Sequence, residues 1–178
     1  FKLVTFSRVT EKKGIGTAAD IVMDLNKKYG REVYTLDIYG PIDEGEDEKW
    51  FTELSKRFTS SINYKGNASF DKSVQILSGY FALLFPTKYF TEGIPGTIID
   101  SYAAGVPVIS TRWKSFDDVV ADGITGLGYE FNNNTELKYL LNFLVCNPSI
   151  IISLKVNCIK RAEDFLPENA IKALCLNI

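Results

Sequence analysis

The chain contains no histidine. That absence removes Ser-His-Asp triads, His-ligated metals and imidazole acid–base chemistry, and much hydrolytic catalysis goes with them. Cysteine is scarce as well. Cys146, Cys158 and Cys175 are odd in number, unevenly spaced and confined to the last third of the chain, which suits neither a disulfide framework nor a zinc site and points to a reducing compartment. All three are expected to be buried packing residues. Long apolar runs are missing too: the longest, Tyr80 to Phe85, falls far short of the roughly 20 residues that cross a bilayer. No charged-then-apolar leader opens the chain, so a soluble, cytoplasmic protein is expected. Nor is there an excess of charge of one sign. The 20 basic and 22 acidic side chains are interspersed, for a net charge of −2, and without a basic stripe no nucleic-acid partner is expected.

What is present is enough for one domain with a real core: 178 residues, 46% of them hydrophobic. Apolar runs and apolar periodicity alternate along the chain. Phe1 to Ser7 reads as a strand. Ile15, Ala18, Val22, Leu25 and Tyr29 recur at helical spacing between Gly14 and Gly30, which fits a helix ended by a left-handed glycine. Val33 to Tyr39 is a second strand, Asp43 to Glu48 a solvated acidic loop, and Lys49 to Phe58 a helix. A brief strand, Ile62 to Tyr64, precedes a helix capped by Ser69 and running to Leu77. Tyr80 to Phe85 and Val106 to Thr111 are continuous apolar runs of the kind found in strands buried on both faces, and Gly96 to Ala104 lies between them as a helix. Phe116 to Ala121 reads as a short helix and Leu127 to Phe131 as the last strand. Asn133 with Glu136 forms a capping-box-like start for the helix Leu137 to Cys146, and Ile150 to Phe165 is the final helix. The aromatic residues Phe81, Phe85 and Phe131 are assigned to the core. Alternation from end to end predicts an α/β fold, an open, doubly wound parallel sheet flanked by helices. In such sheets ligands bind beyond the carboxyl ends of the strands, where strand order reverses.

Two of the loops so placed carry chemistry. The first reads Ser7-Arg8-Val9-Thr10-Glu11-Lys12-Lys13-Gly14. A guanidinium and two ammonium groups beside a helix amino end make an anion site, although a solvated lysine-rich loop would have the same composition. The second runs from Tyr89 through Glu92-Gly93-Ile94-Pro95-Gly96-Thr97-Ile98-Ile99-Asp100 to Ala103-Ala104-Gly105-Val106-Pro107-Val108-Ile109. Gly93 and Gly96 allow close approach of backbone to a ligand, Pro95 pre-sets the first helical turn, and the N–H groups of Gly96, Thr97 and Ile98 are free to bind phosphate. Asp100 lies about 6 Å deeper along the helix at a rise of about 1.5 Å per residue, within reach of a ribose. The bland alternative leaves Glu92 as a generic charge near a helix start and Pro95-Gly96 as punctuation.

The second passage resembles the signature of retaining glycosyltransferases of the GT-B fold, the large group called family 4 or group 1. The pattern is two acidic residues eight positions apart, matched by Glu92 and Asp100, a glycine after the first, and the Ala-Ala-Gly-x-Pro-Val-Ile continuation. Arg8 with Lys13-Gly14, Tyr39-Gly40-Pro41 and the segment Val119 to Leu127 match further segments of that group in order. The resemblance implies that the chain is the carboxyl-terminal half of such an enzyme and takes a nucleoside-diphosphate sugar as donor. Arg8 and Lys13 would bind the diphosphate, Glu92 the sugar side, the backbone of Gly93, Ile94, Pro95, Gly96 and Thr97 the phosphates, and Gly40 and Asp100 the nucleoside. No cofactor and no metal are implied. An acceptor-binding domain would precede this chain, through which the whole protein could meet the membrane surface, and the chain would be an excised piece or a split-gene product. One departure stands out: the group usually carries Glu where this chain has Asp100, one methylene shorter. Two other functions fit the architecture, a nucleotide-binding module without turnover and a sugar-nucleotide 2-epimerase, the latter disfavoured by the missing histidines.

Overall fold

The computed structural model describes residues 1–169; Cys175 lies outside them. Six strands, β1 (Lys2–Phe6), β2 (Thr35–Tyr39), β3 (Ile62–Gly66), β4 (Ala82–Phe85), β5 (Val108–Thr111) and β6 (Gly126–Tyr129), form one sheet. Every pairing is parallel and the order is β3-β2-β1-β4-β5-β6. The helices are α1 (Ile15–Tyr29), α2 (Glu46–Ser55), α3 (Ser73–Leu77), α4 (Gly96–Ala103), α5 (Phe116–Val119), α6 (Asn134–Cys146) and α7 (Ser149–Glu163). The expected doubly wound α/β architecture is therefore observed.

The two faces of the sheet follow from side-chain alternation along the central strands. Leu3, Leu36, Ile38, Ala82, Leu84 and Ile109 point to a layer built from α1, α2 and α6. Val4, Leu83, Phe85 and Val108 point to the opposite layer, where Leu77, Ile98, Tyr102, Phe116, Val119 and Cys158 close over them from α3, α4, α5 and α7. All four residues of β4 and of β5 are buried, as continuous apolar runs covered on both faces require.

The helix limits read from glycine are accurate for α1, with Gly14 at φ 74° and Gly30 at φ 62°. Asn133 caps α6 by accepting from the Glu136 N–H at 3.1 Å. Elsewhere the structure corrects the expectation. α2 starts at Glu46, not Lys49, because Glu46, Asp47 and Glu48 fill its first turn, where carboxylates interact favourably with the helix dipole. The second half of the stretch expected to be a solvated loop, Glu46 to Glu48, is thus helix. Cys146 is exposed while Cys158 is buried. Phe131 is only partly buried and pairs edge to face with exposed Phe90, ring centroids 5.2 Å apart, while Phe81 packs on the margin of the core. Among the described residues no single helix is long and apolar enough to cross a membrane.

Candidate functional site

Strand order reverses between β1 and β4, so the loops following those two strands part there and leave a crevice. Their backbones are tied to one another and to the loop after β2. Ser7 N–H donates to Tyr39 O at 3.0 Å, Val9 N–H to Pro41 O at 2.9 Å and Lys88 N–H to Lys12 O at 2.8 Å. Two glycines make this approach possible. Gly14, at φ 74°, packs so closely on the loop after β4 that a Cβ would sit 2.0 Å from the Pro86 carbonyl oxygen. Gly40, at φ 142°, would place a Cβ 1.8 Å from the Ser7 carbonyl oxygen. Gly40 was expected in the site; its demonstrable task is to let the loops after β1 and β2 touch.

Two cavities open on the crevice and share Arg8. One, of about 320 Å³, is lined by Arg8, Thr10, Lys13, Tyr89, Thr91, Glu92 and Gly93. The other, of about 400 Å³, is lined by Phe6, Ser7, Arg8, Gly40, Pro41, Asn67, Ala68, Gly96, Thr97 and Asp100. The structure thus gathers Arg8, Lys13, Glu92 and Gly93 on one side, and Gly40, Gly96, Thr97 and Asp100 on the other, with Arg8 at the junction. Ile94 and Pro95 line neither cavity, and Ile94 is exposed; they form the bend that brings α4 to the second one. A Cβ added at Gly93 or Gly96 would meet only open space, so the chain approaches no other part of the protein there.

At the start of α4 the Pro95 side chain supplies no cap, but the Ile98 N–H, expected to be free, donates to Pro95 O at 2.9 Å, so the N–H groups of Gly96 and Thr97 and the positive end of the helix dipole are what remain beside the second cavity. Asp100 enters that cavity one turn along. The Thr97 hydroxyl is sequestered from solvent and has no hydrogen-bond partner in the structure, an exception to the usual pairing of buried polar atoms.

Both site cations already hold carboxylates. Lys13 Nζ donates to both Glu92 oxygens at 2.8 Å, and its ammonium lies 5.6 Å and 5.3 Å from the ring centroids of Phe85 and Tyr89, a distance at which ring faces attract a cation. Thr87 donates to the same carboxylate at 2.9 Å. Arg8 pairs with Asp43, thirty-five positions away, a residue assigned in advance to a solvated loop. Nothing in the sequence separates Asp43 from its acidic neighbours. Thr87 and Asn67 carry no sequence signal of their own beyond following β4 and β3, at the carboxyl ends where such sheets bind ligands. Among the described residues no cluster of three or more potential metal-ligating side chains occurs.

The family described as glycosyl transferases group 1 matches residues 1–147. Alpha-monoglucosyldiacylglycerol synthase of Acholeplasma laidlawii is 25% identical over 157 residues, which cover 88% of this chain and 38% of that protein. The carboxyl-terminal domain of the group 1 glycosyl transferase LpcC from Francisella tularensis superposes with a TM-score of 0.78 at 16% identity, covering 93% of this chain and 85% of that one. HepE of Anabaena, crystallised with UDP-glucose, gives a TM-score of 0.79 at 17% identity, covering 99% of this chain and 48% of its own. The chain spans 38%, 41% and 32% of three curated relatives that it matches.

Proposed function

This chain belongs to the glycosyl transferases group 1 family, and from that premise we propose that it is the donor-binding half of a retaining glycosyltransferase. The reading rests on one observation above the others: two cavities at the switch point of the sheet meet at Arg8, one bounded by the open start of α4 and Asp100, the other by Lys13 and Glu92. A nucleoside diphosphate sugar has matching parts. The nucleoside would occupy the larger cavity, with its ribose hydroxyls donating to Asp100 and its base beside Asn67 and Ala68. The diphosphate would lie between Arg8 and the N–H groups of Gly96 and Thr97 at the start of α4. The sugar would enter the smaller cavity against Glu92 and Gly93. That HepE was crystallised with UDP-glucose supports this ligand class for the same fold.

During transfer the bond between the anomeric carbon and the diphosphate oxygen breaks, and negative charge grows on the departing diphosphate. Fixed donors aimed at that oxygen lower the barrier because they need no reorganisation as charge develops. Arg8, Lys13 and the α4 amino end are the groups able to do so, and this reading uses no metal. To meet the diphosphate, Arg8 must leave Asp43, an exchange of one anion for another. The acceptor would be held by a preceding domain, which would also exclude water from the closed cleft.

Calorimetric titration of the chain with UDP, ADP and GDP and their glucose conjugates tests the proposal: at least one nucleotide should bind, with modest affinity. Glycosyl transfer should be absent from the chain alone and present in the whole gene product. Failure of all of these ligands to bind would remove the donor site. Donor binding without transfer by the whole gene product would instead favour a non-catalytic nucleotide-binding module.

A further inference from the structure

We propose that Thr87 is a positioning residue that fixes the Glu92 carboxylate in the orientation used to meet the donor's sugar; the inference rests on the donor-site reading above. Thr87 lies two residues beyond β4 and is 1% exposed. Its hydroxyl donates to Glu92 Oε2 at 2.9 Å and accepts from the Tyr89 N–H at 3.2 Å. The amide occupies one side of the oxygen, which directs the hydroxyl proton to the carboxylate.

Lys13 cannot supply that direction by itself. Its ammonium is a point charge on a flexible stem and follows a carboxylate through many orientations, as its equal 2.8 Å contacts to both Glu92 oxygens illustrate. Thr87 is different in kind. A β-branched side chain has few χ1 options, and this one stands at the end of a strand buried along its whole length. Oε2 therefore carries two partners, Lys13 and Thr87, while Oε1 carries Lys13 alone and keeps a lone pair for a sugar hydroxyl in the cavity. Without the Thr87 bond the glutamate regains side-chain freedom, which binding of the sugar would then have to remove.

A purely structural role is the competing account, since the contact from Tyr89 N–H to the Thr87 hydroxyl also shapes the loop. The two accounts part on which ligand is affected. A nucleoside diphosphate lacks the transferable sugar and on this reading does not reach Glu92, whereas its sugar conjugate does. Titrating the chain with UDP and UDP-glucose, or with whichever of the UDP, ADP and GDP pairs the unaltered chain binds, gives both affinities. Thr87→Val, equal in shape but lacking the hydroxyl, should bind the nucleoside diphosphate within about twofold of the unaltered chain and the sugar conjugate about five- to tenfold more weakly. Thr87→Ser should restore the conjugate's affinity. Equal weakening of both ligands, no weakening of either, or failure of serine to restore binding would overturn the role of Thr87 and leave the donor site standing. If the unaltered chain binds none of the pairs, the donor site fails and this inference with it. Should Thr87→Val not fold, Thr87→Cys, a much weaker donor of similar size, is expected to give the same divergence between the two ligands.

Discussion

The two cation–carboxylate pairs at the crevice differ in everything but their charges. Lys13 and Glu92 are 18% and 16% exposed and are held by Thr87 and two aromatic rings. Arg8 and Asp43 are 56% and 48% exposed. Water screens the second pair and long side chains lose entropy in forming it, so it contributes at most about 1 kcal/mol. The first pair has lost much of its hydration, and removing one member leaves the other in a poor solvent. The inner pair is therefore part of the built structure, while the outer pair is a contact that an incoming anion can displace. A donor site needs both: a fixed wall for the sugar and a cation free to turn toward the diphosphate.

Breaking the inner pair should have the largest effect. Lys13→Met strands the Glu92 charge, and we expect a lower urea midpoint together with a ten- to hundredfold loss of nucleotide-sugar affinity, about 1.5–3 kcal/mol. Arg8→Met should lose comparable affinity yet shift stability by no more than about 0.5 kcal/mol. Equal destabilisation by the two substitutions would erase the distinction between the pairs.

Asp100 sharpens the comparison because it lines the second cavity and has neither cation for a partner. Asp100→Asn keeps the shape and removes the charge, and affinity for the nucleotide should fall by roughly tenfold through weaker bonds to the ribose. Asp100→Glu restores the length usual in the resembling enzymes and should retain binding. Unchanged affinity in Asp100→Asn would take this residue out of the site.

Releasing the outer pair should act in the opposite sense and more weakly. Asp43→Asn frees Arg8 without removing a ligand contact, so affinity for the nucleoside diphosphate should rise about two- to fivefold at low salt, as expected for an exposed pair of this strength. The gain should shrink at high ionic strength. A loss of affinity would show that Asp43 contributes to binding rather than competing with it.

Smallest for the ligand is the effect of the cysteines, which separate the fold from the site. Burial pushes the Cys158 thiol up to about 12 from its ordinary 9. Its protonated form is thus favoured in the folded protein, and the stability this provides is present below pH 9 and lost as pH rises from 9 toward 12. In a Cys175→Ser background at pH 8, a thiol reagent should label exposed Cys146 readily and Cys158 only after unfolding, without changing nucleotide affinity. Rapid native labelling of Cys158 would contradict its burial.

What could be read from the sequence was local. Glycine at Gly14 and Gly30, the Asn133–Glu136 cap and the apolar runs of β4 and β5 depend on neighbours within a few positions, and each appears where expected. Placing Arg8, Lys13, Glu92 and Asp100 beside the crevice needed only the rule that ligands lie beyond strand ends, together with the family signature. The remaining features depend on contacts distant in sequence. Asp43 meets Arg8 across 35 positions and Lys13 meets Glu92 across 79, and no spacing announces either. Cys146 reads as a core residue by type, yet α6 turns it outward. Thr87 resembles any threonine after a proline until the fold brings Glu92 to its hydroxyl.

The central claim is that the two cavities form one donor site joined at Arg8, and backbone amide NMR of the chain during titration tests it most directly. Adding the nucleoside diphosphate should shift the amides of Arg8, Gly40, Asn67, Gly96 and Thr97, and its sugar conjugate should extend the shifts to Glu92 and Gly93. Shifts confined to one cavity for both ligands, or centred on the neighbouring hollow lined by Glu11, Lys12, Glu44, Glu46, Asp47 and Trp50, would contradict it.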